Sequence, residues 1–280
     1  MSGFGARLRS AVAAHGRLCV GIDPHAALLD EWGLAFSAAG VREFGLRVVD
    51  AAAGRAAVVK PQVSFFEQHG AAGFAALEEV LAAARAAGLI AIADAKRGDI
   101  GTTMAAYATA WLTRGAPLEA DALTVSPYLG VGPLRGTFAL AREEGKGVFV
   151  LAATSNPDAV RLQAALAGHV TVAAAIAHEV ASDNAAADDR ADEWHDVGLV
   201  VGATVDRAAV GLADALLERT PVLAPGFGAQ GARLVDIDRL YGAAAPHVLA
   251  SASRSILAAG PGGLAAAIDA HRGELEDTLG

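Results

Sequence analysis

The sequence predicts an α/β protein, and within that class a (β/α)₈ barrel. Eight short apolar runs recur along the 280 residues, and Ala- and Leu-rich stretches with helical spacing lie between them. The runs are continuously apolar instead of alternating, which indicates a parallel sheet whose outer face is covered by helices. Eight such units in this length favour a closed barrel, and an open doubly wound sheet is the alternative.

The predicted strands are rich in β-branched residues, and each ends in a polar or glycine-rich turn. In chain order they cover residues 18–23, 56–60, 89–94, 121–125, 147–153, 197–202, 221–224 and 247–252. The clearest helix covers residues 74–88, where an Ala- and Leu-rich stretch closes on a glycine. Thr102 and Thr103 are predicted N-caps of the helix after the third strand.

The chain shows no internal boundary. No stretch rich in Pro, Gly or Ser divides it, so residues 1–280 are predicted to form a single barrel domain. The segment 181–196 departs from the pattern because it is acidic and poor in large aliphatic residues. We interpret this segment as a solvated surface excursion before the sixth strand.

Composition excludes several classes of protein. A hydrophobic content of 54% excludes a disordered chain, and a net charge of −9 argues against a general surface for nucleic acid or anionic membranes. The single cysteine, Cys19, has no partner for an internal disulfide and none of the neighbours of a zinc site. The sequence contains no recognisable signal peptide and no apolar run of about 18 residues. We therefore expect a cytoplasmic protein without nucleic-acid or membrane partners.

The candidate functional residues follow the predicted strands, because catalytic groups in a barrel lie at the carboxyl ends of the strands. The polar features at those ends are Asp23, Lys60, Asp94, Lys96, Ser126, Ser155, the glycine-rich loop after Ala224, and Arg254. The chain has only three lysines against nineteen arginines, yet Lys60 and Lys96 both follow apolar strands. A lysine, unlike an arginine, can be tuned by burial to exchange a proton near neutrality. The alternative is that each lysine neutralises a structural carboxylate at the barrel rim.

The most specific feature is DAKRGDIGTT at residues 94–103. Because strand side chains alternate, Asp94 and Lys96 should point the same way. Gly98 permits a sharp turn that brings Asp99 back toward the same pocket. A carboxylate on each side would hold the lysine protonated and oriented, as a general acid requires. A surface ion-pair network is the alternative interpretation.

A second feature is the glycine-rich segment APGFGAQGA after the seventh strand. Gly226, Gly228 and Gly231 let backbone N–H groups approach an anion closely. Gln230 adds a side-chain amide, and Arg254 after the eighth strand can bind a phosphate ester bidentately. Together they predict a phosphate site, whereas the loop alone is also compatible with a simple turn. The histidines show no metal-ligand spacing, so no metal site is predicted.

These motifs belong to longer stretches that run over nearly the whole chain. They are LCVGIDPH at 18–25, VVKPQVSFFE at 58–67, DAKRGDIGTT at 94–103, VSPYLG at 125–130, VFVLAATSNPD at 148–158, VGLVVGAT at 197–204, PGFGAQG at 225–231 and SRSIL at 253–257. In combination they resemble the orotidine 5′-phosphate decarboxylase family in its longer bacterial form, the type 2 subfamily. The Asp-x-Lys-x-x-Asp motif is shared by several phosphosugar barrels, but its combination with KPQVSFFE and TSNPD is much more specific.

The resemblance implies a homodimeric (β/α)₈ barrel that decarboxylates orotidine 5′-phosphate to uridine 5′-phosphate in de novo pyrimidine synthesis. It implies a nucleotide substrate and neither a metal nor an organic cofactor. Lys96 is implied to protonate C6 of the pyrimidine, with Asp94 and Lys60 as flanking charges. Asp99 is implied to act across the dimer interface, with Thr103 beside it.

The resemblance also implies which residues hold the nucleotide. Asp23 resembles a ligand of the ribose hydroxyls, and Ser155 resembles a contact of the pyrimidine amide. Gln230 and Arg254 resemble the residues that hold the phosphate, and Gly228 lies in the same loop as Gln230.

Three other functions fit parts of the pattern. A related barrel would act on a phosphorylated keto acid or ketose through an enediolate, which normally enlists Mg²⁺ held by carboxylates. A Schiff-base lyase would use Lys60 or Lys96 as its nucleophile, although neighbouring carboxylates keep a lysine protonated. A regulatory barrel would bind a uridine phosphate without turnover.

Overall fold

The eight predicted strands close into one parallel barrel in the computed structural model, which describes residues 3–187 and 194–276. The barrel strands are β1 (Leu18–Ile22), β2 (Val58–Pro61), β3 (Ile90–Arg97), β4 (Ala122–Val125), β5 (Gly147–Ala153), β8 (Val197–Val201), β9 (Val222–Pro225) and β10 (Val248–Ala252). Each strand pairs in parallel with the next one in the barrel, and β10 pairs with β1 to close the ring. The barrel prediction is confirmed, and the open doubly wound sheet is excluded. A short antiparallel hairpin outside the barrel, which was not predicted, joins β6 (Leu166–Ala167) to β7 (Val170–Thr171).

Helices follow the strands and cover the outside of the barrel. They are α1 (Phe4–His15), α2 (Ala26–Glu31), α3 (Ala38–Ala52), α4 (Ser64–Glu67), α5 (Gly70–Ala86), α6 (Gly101–Leu112), α7 (Arg135–Glu143), α8 (Val160–Gln163), α9 (Val172–Ala187), α10 (Ile237–Tyr241), α11 (Arg254–Leu257) and α12 (Gly260–Glu276). Short 3₁₀ segments cover Gly132–Leu134, Pro157–Ala159, Asp214–Leu216, Leu234–Asp236 and Gly242–His247. The helix predicted at 74–88 is the later part of α5. Across the two described ranges, no helix combines the length and the apolar character that a membrane crossing requires.

The helix α1 fills the amino-terminal mouth of the barrel. Phe4 and Leu8 are fully buried and belong to the apolar cluster inside the barrel. The Phe4 ring packs edge-on against Phe149 with the ring centroids 6.1 Å apart. A Cβ added to Gly147 at the start of β5 would lie 2.2 Å from the Phe4 ring, so this glycine makes room for the aromatic side chain. The opposite mouth, where the carboxyl ends of the strands lie, holds the candidate site.

The acidic segment 181–196 differs from its predicted form at both ends. Residues 181–187 are the last turns of α9, in which Asn184 is buried and donates its Nδ2 to a carbonyl of β8 at 2.8 Å. Trp194 is buried just before β8. Residues 181–187 therefore continue a helix in which Ser182 and residues 185–187 are exposed, as expected for a solvated segment, whereas Asn184, Trp194 and His195 are buried. Residues 188–193 lie outside the described part of the chain.

Candidate active site

A cavity of about 280 Å³ lies at the carboxyl-terminal mouth of the barrel. The predicted site residues that line it are Asp23, Lys60, Asp94, Lys96, Ser155, Gln230 and Arg254. These residues come from the ends of six strands that are far apart in sequence. The closed sheet therefore brings most of the predicted site together in one place.

A larger cavity of about 540 Å³ lies at the opposite, amino-terminal end. Charged side chains line this cavity, and they pair with one another. Lys146 Nζ lies 2.6 Å from Glu119 Oε1, and Arg7 Nη1 lies 3.0 Å from Asp121 Oδ1. The two other arginines that line it also contact glutamates. Because each of these charges already has an opposite partner, we interpret the cavity as part of a structural ion-pair network.

Asp94 joins two lysines at the centre of the carboxyl-terminal mouth. Its Oδ2 accepts a hydrogen bond from Lys60 Nζ at 2.7 Å, and its Oδ1 accepts one from Lys96 Nζ at 2.6 Å. Lys60 and Asp94 are buried, whereas the side chain of Lys96 is 44% exposed. One carboxylate thus fixes two ammonium groups and leaves one of them accessible to a ligand.

Both members of the buried pair carry their charges. Burial opposes ionisation of Asp94, but Lys60 and Lys96 outweigh it and hold the pKa of this carboxyl well below its ordinary value. Burial likewise lowers the pKa of Lys60, but Asp94 and Asp23 raise it above its ordinary value. The Lys60–Asp94 pair is therefore ionised throughout the neutral range of pH.

The end of β3 departs from a regular strand. Its register against β4 shifts between Ala93 and Arg97, and Lys96 has a φ of +49°. This left-handed conformation costs a non-glycine residue about 1–2 kcal/mol. Thr124 Oγ1 on β4 accepts from Lys96 N–H and donates to Asp94 Oδ1, each at 2.9 Å. The predicted regular alternation is therefore wrong here, because an irregularity held by Thr124 places the lysine beside the carboxylate.

Gln62 reaches the same array from the end of β2. Its Oε1 accepts a hydrogen bond from Lys96 Nζ at 3.3 Å, and its Nε2 donates to the backbone oxygen of Asp94 at 3.1 Å. Its own backbone N–H donates to Ile22 O at 3.1 Å. Through its backbone and its side chain together, Gln62 thus connects the ends of β1, β2 and β3 at the charged centre of the cavity.

The loops after β5 and β9 meet across the cavity. Ser155 Oγ donates to Gln230 Oε1 at 2.9 Å. The loop that carries Ser155 is held by Gln163 of α8, whose Oε1 accepts from Thr154 N–H and whose Nε2 donates to Thr154 Oγ1, each at 2.9 Å. The structure therefore brings together two predicted site residues that are 75 positions apart.

The glycine-rich loop after β9 uses three backbone N–H groups to close on itself. Gly228 N–H donates to Ala232 O, Gly231 N–H to Gly228 O, and Ala232 N–H to Gly226 O. Gly228 has a φ of +74°, and a Cβ there would lie 2.6 Å from Ser255 Oγ. The Gly228 N–H therefore has a partner inside the loop, and the phosphate site at this loop stays a prediction. Glycine is required for the turn itself.

The rim opposite this array offers further polar groups. Arg254 begins α11 and lines the cavity as an exposed side chain. Asp23 Oδ1 and Ser253 Oγ are buried and have no hydrogen-bond partner among the described residues. Buried polar atoms of this kind cost free energy unless water or a ligand satisfies them. No cluster of His, Cys, Asp and Glu side chains in residues 3–187 and 194–276 has the arrangement of a metal site.

Known proteins are similar to this chain in both sequence and architecture. Residues 16–268 match the family described as orotidine 5′-phosphate decarboxylase / HUMPS. The chain belongs to this family. An orotidine 5′-phosphate decarboxylase from Salinispora arenicola is 50% identical to this member over 262 residues, which cover 93% of this chain and 92% of the relative.

Solved structures of the family superpose on the whole barrel. A Streptomyces avermitilis protein solved as a candidate orotidine 5′-phosphate decarboxylase is 46% identical and aligns with a TM-score of 0.92, covering 100% of this chain and 96% of the other. The OMP decarboxylase of Leishmania donovani is 33% identical and aligns with a TM-score of 0.78, covering 99% and 98%.

Three predicted site residues do not line the cavity of their own chain in this family member: Asp99, Thr103 and Gly228. Asp99 accepts a hydrogen bond from Ile100 N–H at 2.8 Å and does not line the cavity. Thr103 is exposed on α6, whose N-cap is Ile100 instead of Thr102 or Thr103. The predicted return of Asp99 to the same pocket and the predicted threonine caps are therefore wrong. The helix begins earlier than expected, and the Asp99 carboxylate bonds to the backbone directly before it.

Three residues that hold the site were not predicted: Gln62, Thr124 and Gln163. Thr124 is a lone hydroxyl within the apolar run ALTV, which is a detectable signal. Gln62 follows Lys60 at the strand period of two, so alternation also points to it. Gln163 gave no sequence signal, because its contact with Thr154 depends on the path of the intervening loop.

Proposed function

We propose that the protein is an orotidine 5′-phosphate decarboxylase, which converts orotidine 5′-phosphate to uridine 5′-phosphate and CO₂ in de novo pyrimidine synthesis. The observation that carries the proposal is the Lys60–Asp94–Lys96 array at the barrel mouth. Relatives that are 50% identical bear this name. We assign the chain to the longer bacterial type 2 subfamily, acting in the cytoplasm as a homodimer.

The proposed reaction needs a fixed cation beside C6 of the pyrimidine. When the bond between C6 and the carboxylate breaks, CO₂ leaves and the electron pair stays on C6, where no carbonyl is placed to delocalise it. Lys96, oriented by Asp94, stabilises this developing charge and then transfers a proton from Nζ to C6. Solvent re-protonates the exposed Lys96 amine, and no step assigns a role to a metal or an organic cofactor.

The remaining residues of the mouth suit the rest of the nucleotide. In the proposal, Arg254 and Gln230 bind the phosphate and Ser155 contacts the pyrimidine amide. Asp23 binds the ribose hydroxyls, and its buried, unpartnered Oδ1 suits a hydroxyl donor. Because the phosphate is remote from the breaking bond, its binding energy can organise the site for the transition state.

Asp99 is proposed to complete the site of a second copy of the chain. It lies outside its own cavity and next to Ile100, whose side chain is 59% exposed, and Tyr128 after β4 is 79% exposed. Exposed apolar groups of this size are typical of association surfaces. In a dimer across this face, Asp99 stands beside Lys96 of the other copy and the departing carboxylate, with Thr103 next to it.

A direct assay tests the function. Purified protein treated with a chelator is expected to consume orotidine 5′-phosphate and to release one uridine 5′-phosphate and one CO₂ per turnover. Activity that disappears with EDTA and returns with Mg²⁺ would favour the enediolate barrel instead. Borohydride trapping of a substrate adduct would favour the Schiff-base lyase, and tight binding of uridine phosphate without turnover would favour the regulatory barrel.

A further inference from the structure

Gln62 is held so that its amide presents only an acceptor to Lys96. Its Nε2 donates to the backbone oxygen of Asp94 at 3.1 Å, and its Oε1 accepts from Lys96 Nζ at 3.3 Å. A carbonyl oxygen only accepts and an ammonium only donates, so rotating the amide by half a turn would break both bonds. The backbone N–H of Gln62 donates to Ile22 O, which fixes the position from which the side chain extends.

The two acceptors of the Lys96 ammonium come from different strands. Asp94 supplies a carboxylate from β3, and Gln62 supplies an amide oxygen from the end of β2. A partly exposed lysine with a single acceptor can still rotate about that contact, whereas a second acceptor restricts the ammonium in a further direction. Two of the three N–H groups are then directed, and the third remains for the cavity that Lys96 lines.

The amide also leaves the charge of the cavity unchanged. The charged residues that line it are Asp23, Lys60, Asp94, Lys96 and Arg254. Within the cavity of one chain these cations exceed the carboxylates by one, and Asp99 of the other copy already supplies the further carboxylate in the proposed dimer. A glutamate at position 62 would cancel that excess beside the reacting carboxylate.

We infer that Gln62 is a positioning residue for the decarboxylation: it orients the Lys96 ammonium toward the reacting carbon without adding negative charge next to the departing carboxylate. The inference rests on the proposed function for its catalytic consequence. Gln62 acts through Lys96 and is not assigned a contact with the reacting atoms.

Kinetics of three variants test the catalytic consequence. Gln62→Met keeps the length of the side chain and removes the acceptor, so kcat is expected to fall about 10- to 100-fold. The Kd for uridine 5′-phosphate, which lacks the reacting carboxylate, should stay within about threefold. Gln62→Glu keeps an acceptor but adds charge, so KM for the anionic substrate should rise about tenfold. Gln68→Met alters an exposed glutamine outside the cavity and should change neither parameter.

Lysine NMR tests the positioning without using turnover. The chain has only three lysines, so a protein labelled with ¹³C at lysine Cε gives three sets of signals, and Lys96→Arg identifies one of them. In the wild type the two Hε protons of Lys96 should have distinct shifts, and in Gln62→Met they should merge as the side chain gains freedom. The Lys146 signals should not change.

Each result decides one part of the inference. Unchanged Lys96 signals in Gln62→Met would overturn the positioning, and a looser lysine with an unchanged kcat would overturn its catalytic consequence. A fall in kcat matched by equal losses of nucleotide affinity and thermal stability would indicate a merely structural role. If the wild type does not consume orotidine 5′-phosphate, the proposed function fails, and the NMR comparison still decides whether Gln62 positions Lys96.

Discussion

The two mouths of the barrel both carry lysine–carboxylate clusters, and the two clusters differ in their balance of charge. At the amino-terminal mouth Lys146 contacts two carboxylates, with Nζ 2.6 Å from Glu119 Oε1 and 3.8 Å from Asp121 Oδ1. At the carboxyl-terminal mouth Lys60 and Lys96 share the single carboxylate of Asp94. At the amino-terminal mouth the charge of Lys146 is fully balanced by neighbouring carboxylates. At the carboxyl-terminal mouth one carboxylate balances only one of the two lysines, so a positive charge remains for a ligand.

The difference teaches that an ion pair alone says little about function. Lys146 shows the structural role that was the alternative for Lys60 and Lys96, because it neutralises carboxylates at the rim. It precedes β5, whereas Lys60 and Lys96 lie at the carboxyl ends of β2 and β3. Position relative to the strand and the ratio of lysines to carboxylates together distinguish the two clusters.

The largest expected effect is that of Lys96→Ala. This change removes both the fixed charge and the proton donor, so kcat should fall by about 10⁴-fold or more. The Kd for uridine 5′-phosphate, measured by calorimetry, should change by less than about threefold because other residues hold the nucleotide. Turnover within tenfold of the wild type would contradict the assigned role and remove the functional contrast between the two mouths.

A second large effect should appear on mixing inactive chains. If Asp99 acts in the other copy, a heterodimer of Lys96→Ala and Asp99→Ala chains contains one site with both wild-type residues. Equal mixing should then restore about a quarter of the wild-type activity, since half of the dimers are heterodimers with one working site each. Native mass spectrometry verifies heterodimer formation, and inactive heterodimers would exclude a shared site.

Lys146→Met should change stability instead of catalysis. Removing this buried cation leaves Glu119 with only Arg85 and Asp121 with only Arg7 as partner charges, so the free energy of unfolding should fall by about 2 kcal/mol. Urea denaturation measures this loss, and kcat of the folded variant should equal that of the wild type. A variant of wild-type stability with impaired turnover would show that the amino-terminal network takes part in catalysis.

The smallest expected effect concerns pH. The pKa of Asp94 is depressed and that of Lys60 is raised. The contribution of Asp94 to the free energy of unfolding is therefore complete above about pH 4 and is lost as pH falls further. The contribution of Lys60 is complete below about pH 10 and is lost as pH rises further. The difference in unfolding free energy between wild type and the double variant Asp94→Asn/Lys60→Met, which removes both titrating groups, should be constant from about pH 5 to 9. A slope within this window, measured by urea denaturation, would show that the array titrates near neutrality.

Much of the barrel could be predicted because its signals are local. Each strand is an apolar run closed by a turn, and the polar residues at the ends of those runs, among them Lys60, Asp94 and Lys96, converge once the sheet closes. Thr124 escaped notice because its role depends on an irregularity in β3 that exists only where two strands pair. Strand alternation correctly predicted that Asp94 and Lys96 lie side by side. In the structure, however, the irregular end of β3 brings them together, and not regular alternation.

The predicted site differs from the structure where backbone and carboxylate groups form hydrogen bonds within short loops. The Gly228 N–H looked available in sequence, but it donates within its own loop. Asp99 was predicted to join the same pocket, but its carboxylate accepts from the next backbone N–H, and Asp99 does not line the cavity of its own chain. Neither partner could be deduced from residue types, because each depends on how a short loop turns.

The packing of Phe4 against Phe149 closes the barrel at its amino-terminal end and leaves the carboxyl-terminal end open. With α1 seated in the far end, every molecule that reaches Lys96 enters and leaves through one opening. In the proposed reaction CO₂ and uridine 5′-phosphate must leave by the opening through which orotidine 5′-phosphate enters. The loops around that opening therefore control both substrate binding and product release. Redesign of α1 can then alter how firmly the protein is folded while the route to the reacting centre stays the same.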